Sequence, residues 1–185
     1  MIRPGLQIQR PNIVPTTSTI SRAELIALAR AAAETHQLDA ALVCAICEQE
    51  SAWNPWAIRY EPAFFAHYIA PQLSAGTISI TEAQARAFSW GLMQVMGQVA
   101  REHNFGAAPN PNSSAPPQMH SPYGPVAAPL AQLCDPATGL EVGCTVFAAK
   151  LSAAHGDATR ALQLWNGGGN PNYAAEVLAR VSNYR

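Results

Sequence analysis

Charge is scarce in this chain. Only 12% of its 185 residues are Asp, Glu, Lys or Arg, and the formal net charge is −1. Without a basic surplus there is no electrostatic footprint for nucleic acid, and without an acidic run there is no solvating tail. Long apolar stretches are missing too. None approaches the ~20 residues that span a bilayer, so no membrane insertion is expected. The first twenty residues mix Arg, Pro, Asn and Thr without an apolar segment, and no Sec signal peptide is expected. Strand-like alternation is weak and no repeat stands out. Cysteine is limited to Cys44, Cys47, Cys134 and Cys144. The Cys-x-x-Cys spacing raises zinc or disulfides as alternatives. Yet Cys44 and Cys47 fall inside a predicted helix, no strand precedes them, and Cys144 lies on another apolar helical stripe. All four are expected to be small buried hydrophobes.

What is present is helical periodicity, in a length that suits one domain. The hydrophobic content of 49% is inflated by alanine, which lets helices approach closely. Residues 1–20 read as an extended N-terminal arm, and residues 21–185 as the domain proper, with a Pro-rich insertion at about 106–129. Ser21-Arg22-Ala23-Glu24 is a capping box that opens a helix over 22–35. Asp39 starts the next helix, which Pro55 prevents from running on. Phe64, Phe65, Tyr68 and Ile69 predict a short helix over 62–69, stopped near Pro71. Thr81-Glu82-Ala83-Gln84 reads as a second capping box, opening a helix to about 88. A short helix follows to about His103. Asp135-Pro136 starts a long helix to about Ala154, with Leu140, Cys144, Phe147, Ala148 and Leu151 on its buried stripe. Asp157 caps a helix to about Leu164, and Tyr173, Val177, Leu178 and Val181 define a last one. The insertion carries His120, expected to be solvated, and a loop of such length is a candidate lid.

One stretch concentrates candidate chemistry. In Ala45-Ile46-Cys47-Glu48-Gln49-Glu50-Ser51, helical geometry puts Val43, Ile46, Cys47 and Glu50 on one face and Glu48 nearly opposite. Glu48 then reads as a solvated residue. Glu50 reads as a carboxyl at the end of an apolar stripe, where burial raises its pKa, or as a cap or ion-pair partner. Trp53 to Pro62 combines aromatics, an Arg and a Glu in a connection able to bind a ligand or to close a core. Glu61 precedes a predicted helix, where a carboxylate interacts favourably with the N-terminus. Trp90-Gly91-Leu92-Met93-Gln94 sets a tight backbone beside an amide.

Three separated pieces belong together: Glu50-Ser51 with Asn54-Pro55, then Gly91-Leu92-Met93-Gln94, then Trp165-Asn166-Gly167-Gly168. In this order they resemble the soluble lytic transglycosylase (SLT) domain family over roughly residues 22–182, and Asp135-Pro136 with Gly143 resembles a further family helix. Trp56 to Phe65 is similar to the bacteriophage variant. The family's Tyr-Asn-Ala-Gly is replaced here by Trp-Asn-Gly-Gly, so the usual Tyr hydroxyl is missing, and the Pro-rich insertion is longer than usual. The resemblance implies a mainly α, lysozyme-like (goose-type lysozyme) helical domain with at most a minor β element. It implies peptidoglycan glycan strands as partner, cleaved between N-acetylmuramic acid and N-acetylglucosamine to a 1,6-anhydro product, with no metal or cofactor. Glu50 would be the general acid and then base. Ser51, Met93, Gln94, Asn166 and Tyr173 would line the cleft or hold the acid. Trp165 would stack on a sugar or pack in the core, and Glu61 is a candidate second acid. A lysozyme-type hydrolase and an idle peptidoglycan-binding module of a tail or secretion assembly are the alternatives. A monomer is expected, acting at the cell wall and carried there in a phage particle or released from the host cytoplasm.

Overall fold

The computed structural model describes residues 20–106 and 128–185. The predicted arm, apart from Ile20, and nearly all of the Pro-rich stretch with His120 lie outside the described residues. The elements in chain order are α1 (Arg22–Thr35), α2 (Ala40–Ser51), β1 (Ile58–Tyr60), α3 (Pro62–Phe64), a π-helical turn (Phe65–Ile69), α4 (Ala70–Ser74) and α5 (Ile80–Arg86). Then come β2 (Phe88–Trp90), β3 (Val95–Met96), α6 (Gly97–Glu102), a 3-10 turn (Leu130–Cys134), α7 (Pro136–Ala153), α8 (Ala158–Asn166), α9 (Tyr173–Arg180) and a final 3-10 turn (Val181–Tyr184). No helix among the described residues is long and apolar enough to cross a membrane.

The core is built around α2. Every residue from Ala41 to Cys47 is buried, because α1, α9 and the final 3-10 turn pack around it. A helix apolar on all sides belongs inside, and its Ala and Cys side chains are small enough for neighbours to close in. Burying Ile46 alone contributes about 1.5–3 kcal/mol. All four cysteines are buried and free, and burial pushes the Cys144 thiol up to about 12. Asp39 caps α2 by accepting from Ala41 and Leu42 N–H, as Asp135 and Asp157 cap α7 and α8.

Enclosure also corrects the reading of Glu48. It is not a free surface side chain. Arg22 donates to it at 3.1 Å and the Tyr184 hydroxyl at 2.9 Å. Trp53 in turn donates its indole N–H to Tyr184 at 2.8 Å. Ala52 and Trp53 both take left-handed backbone (φ 49° and 67°), which non-glycine residues adopt only where surroundings hold them. The buried Trp53 indole and its hydrogen bond supply that hold.

Three other expectations are corrected. The helix predicted over 62–69 runs on through Pro71 to Ser74, because the intervening turn is π-helical. There Ala70 N–H bonds Phe65 C=O, and the wider turn relieves the clash that proline makes with an ordinary preceding turn. The cap of α5 is Ser79, not Thr81: Ser79 Oγ accepts from Glu82 N–H, in the same Ser-x-x-Glu pattern two residues earlier. Leu178 is 39% exposed and lies off the buried face that Tyr173 and Val177 share.

The β element is a three-stranded antiparallel sheet in the order β1-β2-β3. Its register pairs Ile58 with Trp90, Arg59 with Ser89 and Tyr60 with Phe88. Side-chain alternation therefore separates Ile58, Tyr60, Phe88 and Trp90 from Arg59 and Ser89 on the opposite face. Between α5 and α6, Arg101 makes a two-nitrogen ion pair with Glu82. The same guanidinium donates to Phe105 C=O at 2.8 Å and Ala128 C=O at 2.9 Å.

Candidate active site

A cavity of about 590 Å³ lies between the sheet and the helices, and Glu50, Glu61, Gln94, Trp165, Asn166 and Tyr173 all line it. Three local devices bring these groups together. First, the last turn of α2 presents Gln49 and Glu50 before the left-handed exit at Ala52. Second, the pleat of β1 puts Arg59 and the following Glu61 on one side, facing Ser89 across the register. Third, Gly167 and Gly168, both left-handed (φ 66° and 88°), end α8 and turn the chain back towards α9 and Tyr173.

Glu50 is half-buried. Its Oε1 accepts two hydrogen bonds, from the Tyr173 hydroxyl at 2.6 Å and from the Trp165 indole N–H at 3.0 Å. Its Oε2 has no donor among the described residues. Burial pushes the carboxyl pKa above its usual range. The bonds from Tyr173 and Trp165 and the charge of Arg59 act against that, and Glu61 adds to it. Because two donors occupy Oε1, the acid's proton belongs on Oε2. That arrangement suits a proton donor. Tyr173 is buried, and its own pKa is driven up by desolvation and by Glu50, so its hydroxyl stays a donor.

Trp165 is thus neither a stacking platform alone nor mere packing. Its ring meets Phe147 edge-on at 5.7 Å while its N–H holds Glu50. Tyr173 places a hydroxyl on the acid, in a chain that lacks the Tyr expected at position 165.

Glu61 occupies the N-cap position of α3, but its side chain makes no hydrogen bond to that helix. Its Oε1 accepts from Arg59 Nε at 2.5 Å and from Ser89 Oγ at 3.4 Å, and so its carboxylate is drawn towards the sheet. Gln94 lines the cavity but commits both amide hydrogens to backbone, at Ala57 C=O (2.9 Å) and Gly91 C=O (3.0 Å). Only its carbonyl oxygen is left for a ligand. Asn166 donates to Asn170 C=O at 3.0 Å and keeps one amide hydrogen.

Ser51 and Met93 are not among the cavity-lining residues. The Ser51 hydroxyl faces Cys47 C=O at 3.0 Å and Leu92 C=O at 2.9 Å, tying α2 to the turn after β2. Met93 is buried against Gly143 of α7, where an added Cβ would stand 2.4 Å from its sulfur. Gly91 lies against Leu133, whose carbonyl oxygen would be 2.1 Å from an added Cβ, and its φ is +70°. These residues hold the turn on which Gln94 stands. Asn54 has a local role as well: its Oδ1 accepts from Trp56 N–H at 3.0 Å in a side-chain turn.

Sequence reasoning missed Gln49, Ser89, Lys150 and Asn170, which also line the cavity. Gln49 and Asn170 donate to the same Glu176 oxygen, at 2.9 and 3.0 Å, and so join α2, the glycine turn and α9. The adjacency of Gln49 to Glu50 and of Asn170 to the glycine turn was the available signal.

The family model described as "Transglycosylase SLT domain" matches residues 27–177. The chain belongs to this SLT family. Membership carries the lysozyme-like fold, here mainly helical with one small sheet, and lytic-transglycosylase-type action on peptidoglycan in general. Neither a curated protein nor a solved structure matches the chain. The match to the SLT model spans every cavity residue named above, from Gln49 to Tyr173.

Proposed function

We propose that the protein cleaves the β-1,4 bond between N-acetylmuramic acid and N-acetylglucosamine in peptidoglycan, leaving a 1,6-anhydro muramoyl end, with Glu50 as general acid and then general base. The observation that carries this reading is the state of Glu50: a carboxyl with raised pKa, two donors on Oε1, and Oε2 open to the cavity. In the first step Oε2–H gives its proton to the glycosidic oxygen as the bond to the anomeric carbon breaks. The ionised carboxylate is then stabilised by the hydrogen bonds from Tyr173 and Trp165. In the second step it takes the proton of the muramoyl 6-hydroxyl, whose oxygen bonds the anomeric carbon. Glu50 ends protonated as it began, and no water is consumed. The substrate's own N-acetyl group shields the developing positive charge in this family's chemistry, so one acid suffices.

Hydrolysis is the second reading, and Glu61 favours it. A second carboxylate lines the same cavity, as in glycosidases that activate water or form a covalent intermediate. Its tie to Arg59 and Ser89 supports a binding role instead. Mass spectrometry of digested walls decides between the two. Anhydro-muramoyl ends, absent with Glu50→Gln, are expected, whereas reducing ends would establish a hydrolase. Binding without cleavage, unchanged in Glu50→Gln, would leave only an idle binding module. On the proposed reading the protein works at the bacterial cell wall.

A further inference from the structure

Lys150 lines the same cavity as Glu50, and nothing in the proposed chemistry uses it. It stands one helical turn beyond Val146 on α7, so both side chains share the face that borders the cavity. Between Val142 and Ala153 it is the one charged residue. It is half-buried, and among the described residues no ion pair or hydrogen bond includes its ammonium. The other cation of the cavity, Arg59, is already held by Glu61. The cavity wall combines the apolar Val99, Val146 and Leu164 with the acceptors Glu50, Glu61 and Asn166, none of which is within ion-pair or hydrogen-bond distance of the ammonium. Desolvation lowers its pKa, opposed only by the charge of Glu102 on α6. A cation in such a place gains most from an incoming anion, because both partners then replace lost hydration with a charge-assisted bond.

A second pocket adjoins the cavity. Phe64 and Val99 line both, and the other walls of this pocket of about 250 Å³ include Gln72, Gln98 and Glu102. There is room for a substituent as well as for the sugar chain. In peptidoglycan the sugar rings are neutral, and carboxylates sit on the muramoyl side arm: the lactyl group where it is free, or the peptide attached to it.

We propose that Lys150 is a specificity-determining residue whose ammonium binds a carboxylate on the muramoyl side arm of the glycan. This inference rests on the peptidoglycan reading above. Its test uses soluble glycan strands bearing peptides, strands stripped of peptides, and both after conversion of their carboxylates to amides. Kd, KM and kcat are measured for wild type, Lys150→Met and Lys150→Arg. Loss of one charge-assisted bond raises Kd and KM of Lys150→Met about tenfold on carboxylate-bearing strands. Expected alongside are a kcat within about twofold, recovery in Lys150→Arg, and equal binding by wild type and Lys150→Met on amidated strands. A defect confined to peptide-bearing strands assigns a peptide carboxylate, one confined to stripped strands the lactyl carboxylate, and one on both a site that takes either. A defect that survives amidation, or no defect, overturns the inference. The ratio of native to amidated binding within each variant is independent of the fraction folded. If no strand is cut, the transglycosylase reading fails while the Kd comparison still decides the role of Lys150.

Discussion

Replacing Tyr173 with Phe changes the surroundings of Glu50 by a single oxygen. Tyr173 is 5% exposed and its hydroxyl lies 2.6 Å from Oε1, so Tyr173→Phe keeps the packing and deletes one donor. A hydrogen bond to a charged group contributes about 1.5–3 kcal/mol. The protonated carboxyl still accepts the bond, more weakly. If about half the energy survives protonation, the two states differ by about 1 kcal/mol, or ~0.7 pH unit. The bond favours the ionised form, so its loss raises the pKa of Glu50 beyond the elevation that burial already imposes. Glu50 acts as an acid in the first step, so the alkaline limb of kcat/KM against pH moves upward by about 0.5–1 unit. The measurement is a pH profile on soluble glycan strands, beside Trp165→Phe, which removes the longer 3.0 Å bond from the same oxygen. That variant should move the limb the same way, by less. An unmoved limb, or one displaced downward, would refute the assignment of Oε1 as the doubly held oxygen.

Glu50→Gln should abolish turnover yet raise Tm at pH 7, with the two proteins converging at pH 3. Burial holds the folded pKa above the unfolded one, so wild-type stability falls as pH rises through that window, a loss that Gln does not suffer. A variant that melts lower than wild type at pH 7 contradicts this. Glu61→Gln should stay folded and keep measurable activity, about 1–10% of wild type, because a positioning pair rather than the acid is removed. Activity as low as that of Glu50→Gln in a folded protein would end the single-acid account. Gly91→Ala forces a Cβ to 2.1 Å from Leu133 C=O in left-handed backbone, and should cost about 2–4 kcal/mol by denaturant titration. A change under about 0.5 kcal/mol would show that the turn does not pack there.

Much of the helical frame was legible because its signals are local. Ser21, Asp39, Asp135 and Asp157 each accept from the helix they precede, as their spacing predicts. Glu50 was separable from Glu48 by helical angle, but the fate of Glu48 was not. Its partners Arg22 and Tyr184 arrive from the two ends of the described chain, and no periodicity reports that. The sheet escaped because strands of two and three residues are too short to alternate visibly. In the cavity, the resemblance singled out Tyr173 and Trp165 but could not say that both hydrogens converge on one oxygen. It gave Ser51 and Met93 as residues that line the cleft or hold the acid, and their contacts are with backbone and with α7. A short motif reports that a turn is needed, not which of its side chains faces the ligand. Lys150 was hidden for the opposite reason: one cation in an apolar helix carries no motif.

The guanidinium of Arg101 has a bearing on how this protein can be altered. One of its nitrogens donates to both the carbonyl of Phe105 and that of Ala128, while Glu82 holds the rest of the group. The chain therefore departs and returns at a single clamped point. Losing that guanidinium would release both attachments at once, whereas Glu50 and its two donors, carried on α2, α8 and α9, are held without it.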